Sequence, residues 1–271
     1  MIALAAYQAR TLLRGRATIA AIVVFALVAG LATLLGLGSY RQLGLGSVGP
    51  AAAALINLAV LLPTAQAILL GSLVYAGDRE SGFAAMLRAR GTGVPALVVT
   101  TWLAVTLSAW LSLLAGFGLA AVIIAGNVPL ADLATFVLLA GLMLLVAASA
   151  AAIGVLVGVV AGTRVQAALA AVAMWFVLSI GLDLAVVGLG AYLRFGEAAI
   201  IGAIVIDPLT TARIAALGLL DANGSVLGPV GAYLLDRIGR AGTLVGLLSV
   251  ILAWTAVPLG VAIAVQRRRD L

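Results

Sequence analysis

Cysteine, histidine and lysine are all missing from these 271 residues, and each absence removes a class of chemistry. Without cysteine there are no disulfides, thiolate nucleophiles or thiolate metal sites, and without histidine no imidazole base and no Ser-His-Asp triad. Without lysine no phosphate-binding loop of the Gly-x-x-x-x-Gly-Lys-Ser/Thr type can be written, so ATP binding is not expected of this chain alone. Charge is also scarce, at 9% of residues against about 25% in soluble domains.

What fills the chain is hydrocarbon. Hydrophobic residues make up 65% of the sequence and the mean hydropathy is +1.30, which places it among integral membrane proteins. A bilayer core about 30 Å thick takes about 20 apolar residues as helix. Six segments meet that length, near Ala17–Gly38, Ala51–Ala76, Val94–Ala125, Leu133–Ala161, Val165–Leu193 and Gly242–Val265. No alternating pattern of barrel strands is present, and a span must satisfy its own backbone, so the expected fold is all-α: a single polytopic domain over residues 1–271 with six transmembrane helices.

All fifteen cations are arginine, and their distribution carries topology. Arg10, Arg14, Arg16, Arg79, Arg88, Arg90, Arg164, Arg267, Arg268 and Arg269 flank the spans on one side; Arg41, Arg194, Arg213, Arg237 and Arg240 fall on the other. By the positive-inside rule the first group is cytoplasmic and so are both termini, as expected for the inner membrane of a bacterium. The arginines flank apolar spans and form no basic face interleaved with aromatics, so nucleic acid is not an expected partner despite a pI near 10.7. Residues 1–14 are helix-competent and expected to lie along the cytoplasmic interface, or to act only as a positive anchor.

One compact charged island interrupts the apolar runs: Asp78-Arg79-Glu80-Ser81-Gly82, followed by Phe83, Arg88 and Arg90. At a helix centre each ionised side chain costs about 2.5–3.5 kcal/mol, so residues 77–93 must face water. On the opposite side, residues 194–241 form the one sizeable stretch between spans. There Asp207 is placed to cap a helix starting at Pro208 and running to Leu220, and a second short helix is expected from Pro229 through Asp236 and Arg237. Both are too short to span, so they lie near the outer interface or re-enter the protein. Gly154, Gly158 and Gly162 repeat every four residues, a close-packing signal for the fourth span. Asn57, Thr64 and Gln66, with Pro63 beside them, make the second span the most polar; they line a pathway or bond between helices. Asp183 is the one acid well inside an apolar run and a candidate pathway residue, or, lying toward the outer end with Arg194 eleven residues on, one satisfied by that arginine or by water.

Six spans, a charged loop after the second and short helices before the sixth resemble the membrane subunits of ABC-2 type transporters. Glu80-Ser81-Gly82 is similar to the Glu-x-Gly core of that family's coupling helix, with Asp78 as the preceding acid. The chain departs from the pattern at Phe83, where threonine is common, and at Gly91-Thr92-Gly93, where a proline-containing turn usually follows. Within the family, Trp175-Phe176 with Asp183-Leu184, the run Asp207-Pro208-Leu209-Thr210-Thr211-Ala212-Arg213 and the terminal Arg267-Arg268-Arg269 look most like the NosY permeases, which serve maturation of nitrous-oxide reductase.

The resemblance implies a homodimer in the lipid bilayer, bound through Asp78–Arg90 to two cytoplasmic ATPase subunits. It implies ATP and Mg held by those subunits with no cofactor in this chain, and a periplasmic accessory protein held near Asp207, Pro208, Arg213, Asp236 and Arg237. The cargo would be a sulfur species or serve copper-site assembly. Soft copper prefers thiolate, thioether or imidazole, and this chain offers only Met1, Met86, Met143 and Met174, far apart in sequence. Export of a drug, lipid or polysaccharide, and a scaffold for a periplasmic maturation protein, remain as alternative readings.

Overall fold

The computed structural model describes residues 2–42, 49–126, 133–182, 184, 202, 206–220 and 228–269. Among them the only regular structure is helical: α1 (Ile2–Leu13), α2 (Arg16–Gln42), α3 (Gly49–Glu80), α4 (Phe83–Ala89), α5 (Val94–Ala125), α6 (Leu133–Val160), α7 (Arg164–Phe176), α8 (Pro208–Leu220) and α9 (Gly228–Arg269). Six helical stretches are long and apolar enough to cross a membrane, in α2, α3, α5, α6, α7 with its extension, and α9, as expected for a multi-pass membrane protein.

One boundary differs from the sequence expectation in a way that matters. The second span does not stop at Ala76: α3 runs on to Glu80, so Asp78, Arg79 and Glu80 are its last turn and not part of a separate loop. The polar residues need only emerge from the apolar layer; nothing in them stops a helix until Gly82, which takes φ 75°. The fifth span begins as α7 and passes at Val177 into a π-helical turn ending at Gly181. A helix is also broken inside α9, where Gly239 has φ 69° and ψ 170°, separating a short segment that starts at Gly228 from the sixth span.

α6 is the centre of the bundle, packed against α3, α5 and α9. Among the described helices its contact with α3 is the most extensive. A methyl on Gly154 would lie 2.5 Å from the Ile68 carbonyl oxygen and 2.7 Å from Ile68 Cα; one on Gly158 would meet the Ser72 carbonyl at 2.7 Å. From the other side, a methyl on Gly71 would lie 2.9 Å from the Val155 nitrogen. The backbones are therefore in direct contact, which in a membrane supplies the dispersion that the hydrophobic effect cannot. Gly162 does not belong to this row. It sits beyond the end of α6, where its N–H donates to Gln166 Oε1 at 3.0 Å and helps start α7, whose N-cap is Thr163.

The outward faces are apolar, as a lipid contact requires. Leu27, Leu31 and Leu35 on α2 are 64%, 58% and 63% exposed in the isolated chain. The buried interior is built from small and branched residues, with Phe25 set against Gly116 and Phe117 against Phe136, ring centroids 5.4 Å apart.

Gly154→Ala is expected to force α3 and α6 apart and destabilise the protein by about 1–3 kcal/mol, the usual range for overpacking. Gly141→Ala, on the same helix with nothing within 4 Å of the added methyl, is expected to stay within about 0.5 kcal/mol. Thermal unfolding of the two variants in detergent checks the difference.

Candidate functional site

The charged island becomes a braced platform at one end of the bundle. Arg79, in the last turn of α3, turns its guanidinium onto the C-terminal carbonyls of α6. Nη1 donates to Val159 O at 3.0 Å, while Nη2 donates to Gly162 O at 3.0 Å and also to Ala161 O. Arg269, at the end of α9, donates to the same Val159 oxygen at 2.6 Å and to Val160 O at 2.9 Å. Two cations can share so small an area because the last carbonyls of a helix lack intrahelical partners and carry its negative dipole end. Glu80 completes the brace, its carboxylate accepting from the backbone N–H of Arg164 at 3.3 Å. The ends of α3, α6, α7 and α9 are thereby tied into one unit.

α1 joins the platform from the other side. Gln8 is 5% exposed; its amide donates to Asp78 Oδ2 at 3.2 Å and to Thr101 Oγ1 on α5 at 3.3 Å. Residues 1–14 are thus more than a positive anchor, since α1 packs along α5 with Gln8 and Ala9 turned inward. Tyr7 stands near Phe83, ring centroids 6.3 Å apart. Between α1, α3 and α4 lies an open cleft of about 430 Å³, whose lining includes Tyr7, Gln8, Asp78, Ser81, Phe83 and Arg164.

Beyond the platform stands α4. Gly82 (φ 75°) precedes it and Gly91 (φ 86°) follows it. Both angles are left-handed, so the chain can reverse sharply on each side of the seven-residue helix. No residue of α4 is buried, Met86 is 43% exposed, and Arg88 and Arg90 are exposed. Ser81 caps the turn by donating to Asp78 O at 3.3 Å. The chain therefore spends two helix reversals and a hydrogen-bonded brace on an element that buries nothing of its own.

Inside the bundle, the polar residues of α3 separate. Gln66 bridges helices, donating to Ser108 Oγ at 3.1 Å and accepting from Ser112 Oγ at 2.8 Å; Ser108 in turn donates to Thr18 Oγ1 on α2 at 3.2 Å. Thr64 is buried but its hydroxyl is spent on carbonyls of its own helix, Val60 and Leu61 (3.2 Å to the latter). Asn57 is exposed and donates to Ala53 O at 3.2 Å. These three do not form a common polar lining. Pro63, lacking an N–H, removes the helical donor to the Ala59 carbonyl; nearby, Trp175 Nε1 donates to Leu61 O at 3.1 Å. Trp102 and Trp110 of α5 likewise donate to Ala148 O and Leu144 O of α6, at 2.9 and 2.8 Å. The spacing of these two indoles, eight residues apart on one face, was the only sequence signal for that contact. Asp183 lies outside the described residues.

At the far end of the bundle, Asp207 caps α8 as its position before Pro208 suggests. Its Oδ1 accepts from Leu209 N at 2.9 Å and its Oδ2 from Thr210 Oγ1 at 2.6 Å, and the residue is 1% exposed. Pro208 is buried beside it. α8 re-enters the protein: Leu209, Ala212, Ala215 and Ala216 belong to the main core, against α3, α6 and α9. Arg213 donates to Ser179 O in the π-helical turn at 3.5 Å. The side chains of Asp236 and Arg237 lie outside those described.

Among the described residues no three of Asp, Glu, His or Cys gather as metal ligands would. Arg79→Gln is expected to release the α6 carbonyls and lower stability by about 2 kcal/mol, the scale of charge-assisted hydrogen bonds in a partly exposed site. Arg90→Gln, which changes an exposed side chain, is expected to stay within about 0.5 kcal/mol; detergent melting curves of both variants check this.

Compared with known proteins, the chain matches no family model and no curated protein.

Proposed function

We propose that this chain is the membrane-spanning permease subunit of an ATP-driven transporter of the ABC-2 type, working as a homodimer with two ATPase subunits bound on the cytoplasmic side. The observation that carries the reading is α4. A seven-residue helix with no buried residue, standing off the end of the spans between two left-handed glycines, has the form of an element shaped for a groove on another protein. Its mechanical connection supports the same reading. Force on α4 passes through Ser81 and Gly82 into the last turn of α3, and from Arg79 and Glu80 into α6, α7 and α9. A push there would be felt by several spans together, which is what conversion of ATP-driven closure into reorientation of the bundle requires.

In this reading both termini are cytoplasmic, and the face bearing α8 is periplasmic. The cargo reading stays with maturation of nitrous-oxide reductase, as a sulfur species or in copper-site assembly. It rests on the likeness of Asp207–Arg213 and the terminal arginines to NosY permeases. The periplasmic accessory protein would dock on that outer face, through exposed surface near α8; Asp207 and Pro208 themselves are buried and would shape that surface from beneath.

The chain's lack of cysteine makes its topology directly measurable. Asn223→Cys is expected to react with a membrane-impermeant maleimide on intact cells, and Ser81→Cys only after permeabilisation; the reverse pattern contradicts the orientation. For coupling, Glu80→Ala combined with Gly82→Val is expected to leave an ATPase subunit hydrolysing ATP while transport falls by an order of magnitude or more. Transport at the parent rate in that variant would sink the assignment. Purification from detergent with a periplasmic protein but no ATPase would favour the scaffold reading instead.

A further inference from the structure

The cleft between α1, α3 and α4 holds two opposite charges that do not pair. Asp78 Oδ2 is occupied by Gln8, but no described residue donates to Oδ1. Arg164 uses its backbone N–H on Glu80, while its guanidinium lies over Gly77, with Nε 3.7 Å and Cζ 3.8 Å from where a Gly77 methyl would stand. That places it one residue from Asp78 and near enough for its charge to act on the carboxylate. No ion pair within 4.0 Å joins them or ties either to another described residue. A carboxylate oxygen and a fork of guanidinium N–H groups thus line one opening, separated by a gap.

That gap has the polarity of a zwitterion, with a cation wanted at Asp78 and an anion at Arg164. Two further features narrow the choice. Tyr7 and Phe83 share the lining with Asp78, and aromatic rings in a site with a carboxylate favour an ammonium group. Leu12, Leu73 and Val74 add apolar side chains to the lining. The cleft sits at the end of the apolar stretch of α3, and the end of a span is where a helix passes from hydrocarbon into the headgroup layer. Its volume of about 430 Å³ falls in the range of about 300–1,000 Å³ usual for small-ligand sites.

We infer that this cleft binds the zwitterionic headgroup of an aminophospholipid, the primary ammonium on Asp78, the phosphate on Arg164 and part of an acyl chain along Leu12, Leu73 and Val74. A primary ammonium has N–H groups to give Asp78 Oδ1, whereas a quaternary one has none. The lipid would then link α1 to the base of α4 and to the start of α7. The inference stands apart from the transport reading, since it concerns lipid binding and is measured without ATP or cargo.

The test is native mass spectrometry of the delipidated full-length protein in detergent, titrated separately with phosphatidylethanolamine, phosphatidylcholine and phosphatidylglycerol of matched chains. Phosphatidylethanolamine is expected to bind about tenfold tighter than the other two, and Asp78→Asn or Arg164→Gln to weaken it about tenfold, the loss of one charge-assisted contact. Ser249→Ala, on the sixth span, is expected to change nothing. Where a charge variant folds poorly, Thr11→Trp, which fills the exposed rim of the cleft, is expected to abolish the preference while the melting temperature is retained. Equal binding of the three lipids, or unchanged binding in the cleft variants, overturns the proposal. Free phosphoethanolamine binding as tightly as the lipid overturns the lipid as source and moves the ligand to the soluble pool.

Discussion

Everything in this bundle is hung on the backbone contact between α3 and α6. Gly71, Gly154 and Gly158 remove the side chains that would hold the two helices apart, and in hydrocarbon that proximity is the chief source of helix adhesion. The same contact brings the last turn of α3 beside the last carbonyls of α6. Only then can Arg79 reach Val159, Ala161 and Gly162. A looser crossing would leave those carbonyls to water and the arginine to solvent, and α4 would hang from a single flexible turn. Packing in the membrane thus determines how stiffly the water-facing element is held.

The polar groups inside the bundle follow the same economy. A group with no partner in hydrocarbon costs several kcal/mol, and many described hydroxyls meet that demand on carbonyls of their own helix, as Thr33 and Thr100 do, while a smaller set joins neighbouring helices. Gln66 with Ser108, Ser112 and Thr18 joins α2, α3 and α5, and three indoles donate to carbonyls of α3 and α6. These contacts fix rotation and register, which apolar packing alone leaves loosely determined. The π-helical turn after α7 and the proline in α3 are where the regular ladder yields. Donors from elsewhere lie close to each, Arg213 at Ser179 within the π-helical turn and Trp175 at Leu61, two residues before the proline.

Much of this was legible in the sequence because span length and glycine spacing are local properties. The α5 limits, the cap of α8 by Asp207 and the packing face at Gly154 and Gly158 follow from residues near one another in the chain. What could not be read depends on which helix meets which. Nothing local says that Gly71 is the counterpart of Gly154, that Gln66 reaches Ser108 forty-two residues on, or that Arg79 and Arg269 converge on one carbonyl. Polarity is not a helix boundary, since α3 runs past Ala76 through Asp78 and Arg79 to Glu80. Glycine spacing is not one either, since Gly162 continues the four-residue row beyond Val160, where α6 ends. Asn57 and Thr64 share a helical spacing, yet one is exposed and the other bonded to its own backbone, because spacing does not tell which neighbour covers a face.

Whether α4 docks on a separate motor is decided by placing a photo-crosslinking amino acid at Met86, an exposed residue near the middle of α4, and irradiating intact cells. A covalent adduct between this chain and a P-loop ATPase subunit, identified by mass spectrometry, is the predicted result. Adducts confined to lipid or to other copies of this chain, in cells where the protein is active, would contradict it.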